Sequence, residues 1–258
     1  MYRYGDDVDQ DINLALKWFE KAADAGNNNA MKSIAEMYRD GNGVVKDSKL
    51  ALELFEKAAD AGNTDAMCRL AEMYRDGNSV VEDGKRAAFW YENAADAGNT
   101  HAMLNIAEMY SEGNGVVKDD KRAAFWYEKA ADAGDTDAML IIALIYHHGN
   151  CIVKDYKRAA FWYEKAADVG NTYAMKALGD MYRNGKEIPQ DYKHAMKWYV
   201  KATENGDSGS MQKLGEMYIK GEGVAVDYDK SREWFQKAAD AGNLYVIEKL
   251  GFIPRTEE

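Results

Sequence analysis

Residues Lys121 to Leu140 read KRAAFWYEKAADAGDTDAML, and the first fifteen of them recur almost letter for letter from Lys85 (KRAAFWYENAADAGN) and from Lys157 (KRAAFWYEKAADVGN). The same frame extends outward in both directions. Glycines of the A-D-A-G-N motif stand at Gly26, Gly62, Gly98, Gly134, Gly170, Gly206 and Gly242, always 36 residues apart. A second glycine series, Gly41, Gly77, Gly113, Gly149, Gly185 and Gly221, keeps that interval, as does the acid series Asp11, Asp47, Asp83, Asp119, Asp155, Asp191 and Asp227. Self-similarity at one fixed period is the mark of a repeat architecture, and it overrides any domain count drawn from length.

Each period predicts two helices. From about Asn63 to Asp76, the residues Ala66, Met67, Leu70, Ala71, Met73 and Tyr74 fall at helical spacing, and Gly77 ends the run. The linker GNSVVED follows, with Asp83 placed to cap a second helix over roughly Gly84 to Ala97. That helix carries Ala87, Trp90, Tyr91, Ala94 and Ala95 on its apolar side, and Gly98 supplies the left-handed residue past its end. Alanines permit close helix approach, and the aromatics fill the space between pairs. One such unit cannot bury both its faces, so units must stack. The expected fold is all-α: a right-handed α-solenoid of stacked antiparallel helix pairs, with first helices on one surface and second helices on the other. The expected organisation is a single array, with a partial first unit over 1–26, six full units over 27–242, a terminal helix over 243–250 and a tail over 251–258.

Bulk properties narrow the function. A net charge of −11 and a pI near 5.0 argue against nucleic acid and anionic membranes, whose affinity comes from clustered Lys and Arg. No run of about 18 apolar residues predicts a membrane-inserted helix. The two cysteines, Cys68 and Cys151, hold different positions in their repeats and suggest no disulfide framework.

The pattern AMxxxAEMYxxGxGVxxDxxxAxxWYxKAADAGN resembles the Sel-one-like repeat, a 36-residue relative of the tetratricopeptide repeat, and the resemblance runs from about Met1 to Leu250. It implies a tetratricopeptide-like curved scaffold that binds other proteins, often as an adaptor, without catalysis. The regularly spaced cysteine pair of the family's cysteine-rich branch is absent, so that branch's chemistry is not implied. Two other roles fit the resemblance: an immunity- or inhibitor-type protein that blocks one effector, and an exported factor associated with cell wall or carbohydrate. MYRYGDDVDQD from Met1 aligns with MYRDGNGVVKD from Met37, so the chain is expected to begin within a first helix. A fragment of a longer array and a degenerate cap both account for that, and the open end is a candidate for weak self-association.

Chemistry-bearing residues have structural readings. The Asp series caps helices. Lys57, Lys129, Lys165, Lys201 and Lys237 sit near the negative ends of second helices. His147 and His148 are neighbours on one helix whose side chains should diverge by about 100°, which favours surface histidines over a metal site. Cys68 has no His and acid partner at repeat-equivalent positions. No catalytic residue, metal or cofactor is expected.

Recognition should then sit where the repeats differ. Three first-helix slots that are usually polar become Leu140, Ile141 and Leu144 in AMLIIALIYHHGN. By the geometry the resemblance implies, these slots face the concave surface, with Leu104 extending the patch, His148 beside it and Glu72 and Glu108 as an acidic rim. An apolar centre with a charged rim is the anatomy of a binding patch, and a basic or amphipathic protein segment is the expected ligand. Burial against the next helix is the competing reading. A second surface is possible at Phe89, Phe125 and Phe161, whose slot holds Lys17, Glu53, Lys197 and Glu233 elsewhere. Those rings either pack on the stems of Arg86, Arg122 and Arg158 or on the adjacent unit, or form a contact ridge for dimerisation or a partner.

Overall fold

A computed structural model describes residues 12–77, 80–149, 152–251 and 253. Asp11 and the stretch before it lie outside these residues, as does Cys151, so the expectations for the chain's start and for that thiol are not addressed. Among the described residues there are fourteen helices and no strand, and the first thirteen helices are each 13 residues long. The chain forms two compact units, Met1–Ala133 and Gly134–Glu258.

Unit 1 holds α1 (Ile12–Asp24), α2 (Asn28–Asp40), α3 (Ser48–Asp60), α4 (Thr64–Asp76), α5 (Gly84–Asp96), α6 (Thr100–Glu112) and α7 (Asp120–Asp132). Unit 2 holds α8 (Thr136–His148), α9 (Tyr156–Asp168), α10 (Thr172–Asn184), α11 (Tyr192–Glu204), α12 (Ser208–Lys220), α13 (Tyr228–Asp240) and α14 (Tyr245–Leu250). Within each unit, consecutive helices pack in pairs and each pair packs on the next. The all-α stack of helix pairs read from the period is therefore what each unit contains. The last helix begins at Tyr245, one residue later than the 36-residue frame of the other first helices gives.

The helix ends explain this regularity. In α4 the Asn63 side chain accepts from the Ala66 N–H, and Gly77 closes the helix at φ 66° in the left-handed region. Asp83 caps α5 by accepting from the N–H groups of Lys85 and Arg86. Its own N–H returns to the carbonyl of Tyr74 at 2.8 Å, which ties the start of α5 to α4. The same return bond joins Asp47 to Tyr38, Asp119 to Tyr110, Asp155 to Tyr146, Asp191 to Tyr182 and Asp227 to Tyr218. Each cap satisfies amide groups that helix geometry leaves without partners and contributes about 1 kcal/mol.

Between helices, small residues meet large rings. Ala35, Ala71 and Ala107 of unit 1 are fully buried, as are the rings of Phe55 and Tyr91. In unit 2, glycine replaces alanine at Gly179 and Gly215, and the rings of Tyr199 and Phe235 press into the space. A buried ring of this size stabilises by about 2 to 3 kcal/mol.

Candidate protein-binding faces

Unit 1 carries Glu72 on α4 and Leu104 and Glu108 on α6. Leu104 is half-buried and Glu108 is exposed. Glu72 is half-buried and engaged: it accepts from Arg69 at 2.8 Å, and His101 Nε2 lies 3.6 Å away. Lys32 pairs with Asp65 at 2.9 Å, linking α2 to α4, and Arg75 donates to Asn105 at 2.9 Å, linking α4 to α6. The first-helix face of this unit is thus a polar lattice. Lys32, Asp65, Cys68, Arg69, Glu72, Asn99 and His101 line a pocket of about 390 Å³ on it. Cys68 is only 5% exposed, and burial pushes its thiol up to about 12.

Unit 2 carries Leu140, Ile141, Leu144 and His148, all on α8. The three aliphatic residues are half-buried, a state between the open patch and the buried packing that the sequence left as alternatives. His148 is exposed. His147 corrects the expectation of two diverging surface histidines. Its side chain is 21% exposed, with Nδ1 at 3.1 Å from the Tyr163 hydroxyl and Nε2 at 3.1 Å from Glu187. The two imidazoles stack, with centroids 4.9 Å apart and planes 8° from parallel.

These histidines line a pocket of about 260 Å³ with Tyr163, Tyr173, Lys176, Ala177, Asp180, Met181, Asn184 and Glu187. Asp180 accepts from the buried Tyr199 hydroxyl at 2.7 Å, and burial carries both the Tyr163 and Tyr199 phenols above their usual range. Further along the same face, Glu216 gathers Arg183 at 3.1 Å, Lys249 at 3.1 Å and Lys213 at 3.9 Å. Arg183 also holds Glu222 at 2.6 Å. Sequence reading passed over Tyr173 and Glu187. A signal for the latter exists in GKEIPQD, where Glu187 takes a slot that holds Gly43, Ser79, Gly115, Cys151 and Gly223 in other linkers.

On the second helices, Phe89, Phe125 and Phe161 are 56%, 51% and 50% exposed. Each ring sits edge-on to the following tryptophan, at 5.1, 5.1 and 5.0 Å. The guanidinium groups of Arg86, Arg122 and Arg158 lie over Tyr74, Tyr110 and Tyr146, at 5.2, 4.4 and 4.2 Å. Lys129 and Lys165 approach Phe125 and Phe161 instead, at 5.7 and 5.6 Å.

No helix among the described residues is long and apolar enough to cross a membrane. The family model for the Sel1 repeat matches residues 1–27, 29–63, 64–99, 100–135, 136–171, 172–207 and 208–243. A crystal structure of c5321, a protective antigen present in uropathogenic Escherichia coli strains and displaying an SLR fold, is 33% identical with a TM-score of 0.77. The match covers 98% of this chain and 54% of that one, so this chain spans about half the length of that relative. A Sel1 repeat protein from Oxalobacter formigenes is 36% identical, with a TM-score of 0.57 over 88% of this chain and 93% of its own. No curated protein matches the sequence.

Proposed function

Because the chain belongs to the Sel1 repeat family, whose members are generally protein-interaction scaffolds, we propose that it is a non-catalytic scaffold or adaptor that grips a partner helix or peptide on the first-helix face of unit 2. The observation that carries this reading is α8. It alone has large aliphatic residues, Leu140, Ile141 and Leu144, in all three of the slots that in α4 are Cys68, Arg69 and Glu72. Those side chains are half-buried beside a pocket rather than sealed in the core. Aliphatic groups left partly in water gain most when an apolar partner surface covers them, and the neighbouring polar groups fix its register. The chain's −11 charge favours a basic or amphipathic ligand and speeds its encounter.

The experiment compares wild-type protein with Leu140→Glu/Leu144→Glu as bait in a lysate of the source organism, read by mass spectrometry after circular dichroism has shown both folded. A protein captured by wild type and lost by the double variant supports the reading. Equal capture by both moves recognition off α8.

A further inference from the structure

We propose that the pocket lined by α8, α9 and α10 receives a cationic side chain of the bound partner, a guanidinium or an ammonium. The proposal rests on the scaffold reading and adds the chemistry of the contact. Its basis is an internal comparison among first helices. The slot of Asp180 holds Glu72 in α4 and Glu216 in α12. Glu72 is met by Arg69 and His101, and Glu216 by Arg183, Lys213 and Lys249. In α10 the residue matching Arg69 is Ala177, and the one matching His101 is Gly209. Asp180 keeps only the neutral Tyr199 hydroxyl, and no cation pairs with it among the described residues. Half-buried carboxylates are normally compensated, and this one faces a cavity.

Three further features fit a cation. Glu187 places a second carboxylate on the pocket wall, held in position by His147 at 3.1 Å. Tyr173, 55% exposed, and the stacked imidazole of His148 offer ring faces of the kind that attract ammonium and guanidinium groups. Lys176, the one cation of the lining, leans towards α12, its Cε 3.2 Å from where a side chain on Gly209 would begin. A volume of about 260 Å³ suits one long side chain rather than a larger ligand.

The test uses the full chain and two small probes, N-acetyl-arginine methylamide and N-acetyl-glutamate methylamide, followed by ¹H–¹⁵N chemical-shift titration. The arginine probe should move the amides of His148, Tyr173, Asp180 and Glu187, and the glutamate probe should not. In Asp180→Asn/Glu187→Gln the arginine probe should bind about fivefold to tenfold more weakly. This variant keeps an acceptor for Tyr199 and a partner for His147, so the fold is retained. Equal response to both probes, no response in the pocket, or unchanged affinity in the variant overturns the proposal. The scaffold reading fails separately: arginine binding retained in Leu140→Glu/Leu144→Glu while that variant captures its partner as wild type does would keep the pocket and remove recognition from α8.

Discussion

Replacing Glu216 with Gln should destabilise the protein at neutral pH and lose much of that effect in acid. Glu216 accepts from Gln212 at 2.9 Å, Lys249 at 3.1 Å and Arg183 at 3.1 Å, with its side chain 18% exposed. Burial alone would raise its pKa. The bonds from Gln212, Lys249 and Arg183, helped by the charge of Lys213, outweigh burial and hold it at about 2, against an ordinary 4.5. Each pKa unit is worth about 1.4 kcal/mol, so ionised Glu216 contributes at most about 3 kcal/mol at pH 7. Glutamine keeps part of the hydrogen bonding and sheds the cost of burying a charge, which leaves about 2 kcal/mol of net loss. Because the folded-state pKa lies below the unfolded one, the contribution is complete above about 4.5 and fades as pH falls towards about 2. By pH 3 the wild-type advantage should have shrunk by about 2 kcal/mol and the two proteins should nearly coincide. Urea unfolding at pH 7, 5, 4 and 3, followed by tryptophan fluorescence, measures the gap directly. A gap that stays constant across this range would show that the carboxylate's ionisation is not what the network exploits.

Three other perturbations test separate parts of the structure. A Cβ on Gly179 would meet the Tyr199 ring at 2.5 to 2.9 Å, so Gly179→Ala should cost about 1 to 3 kcal/mol in urea unfolding, and a change within error would mean that the ring has room to move. Phe125→Lys should alter stability by no more than about 0.5 kcal/mol, since Lys17 and Lys197 occupy the same slot; a drop of several degrees in Tm would make the ring a structural element. In a Cys151→Ser background, Cys68 should resist a thiol-specific disulfide reagent at pH 8 until urea unfolds the chain, because it is buried and its pKa is pushed up to about 12. Rapid labelling of the native protein would contradict that environment.

The helices were legible because each is specified several times over. Asn63 or its equivalent starts a first helix, a glycine stops it, an Asp starts the second, and apolar spacing sets the buried face between them. Comparing slots also revealed which positions tolerate charge, and Phe89, Phe125 and Phe161 are half-exposed as their substitution by Lys and Glu in other repeats implied. What slots do not carry is the partner a long side chain reaches in the next unit of the repeat. His147 read as a surface residue because its bonds go to Tyr163, sixteen positions on, and Glu187, forty positions on. The arginines of α5, α7 and α9 likewise reach back over tyrosines of the preceding first helix rather than over the phenylalanines beside them. The pocket beside α8 was hidden for the same reason. It depends on what is missing around Asp180, and an absent partner shows only once the distances are known.

Whether a protein partner lies on the first-helix face of unit 2 is tested by site-specific photocrosslinking. Benzoylphenylalanine placed at Leu144, on that face, is compared with the same group at Lys197, exposed on the second helix α11. A covalent adduct with one protein should form from position 144 and none from position 197. Adducts from position 197 alone would put recognition on the second helices and contradict that expectation.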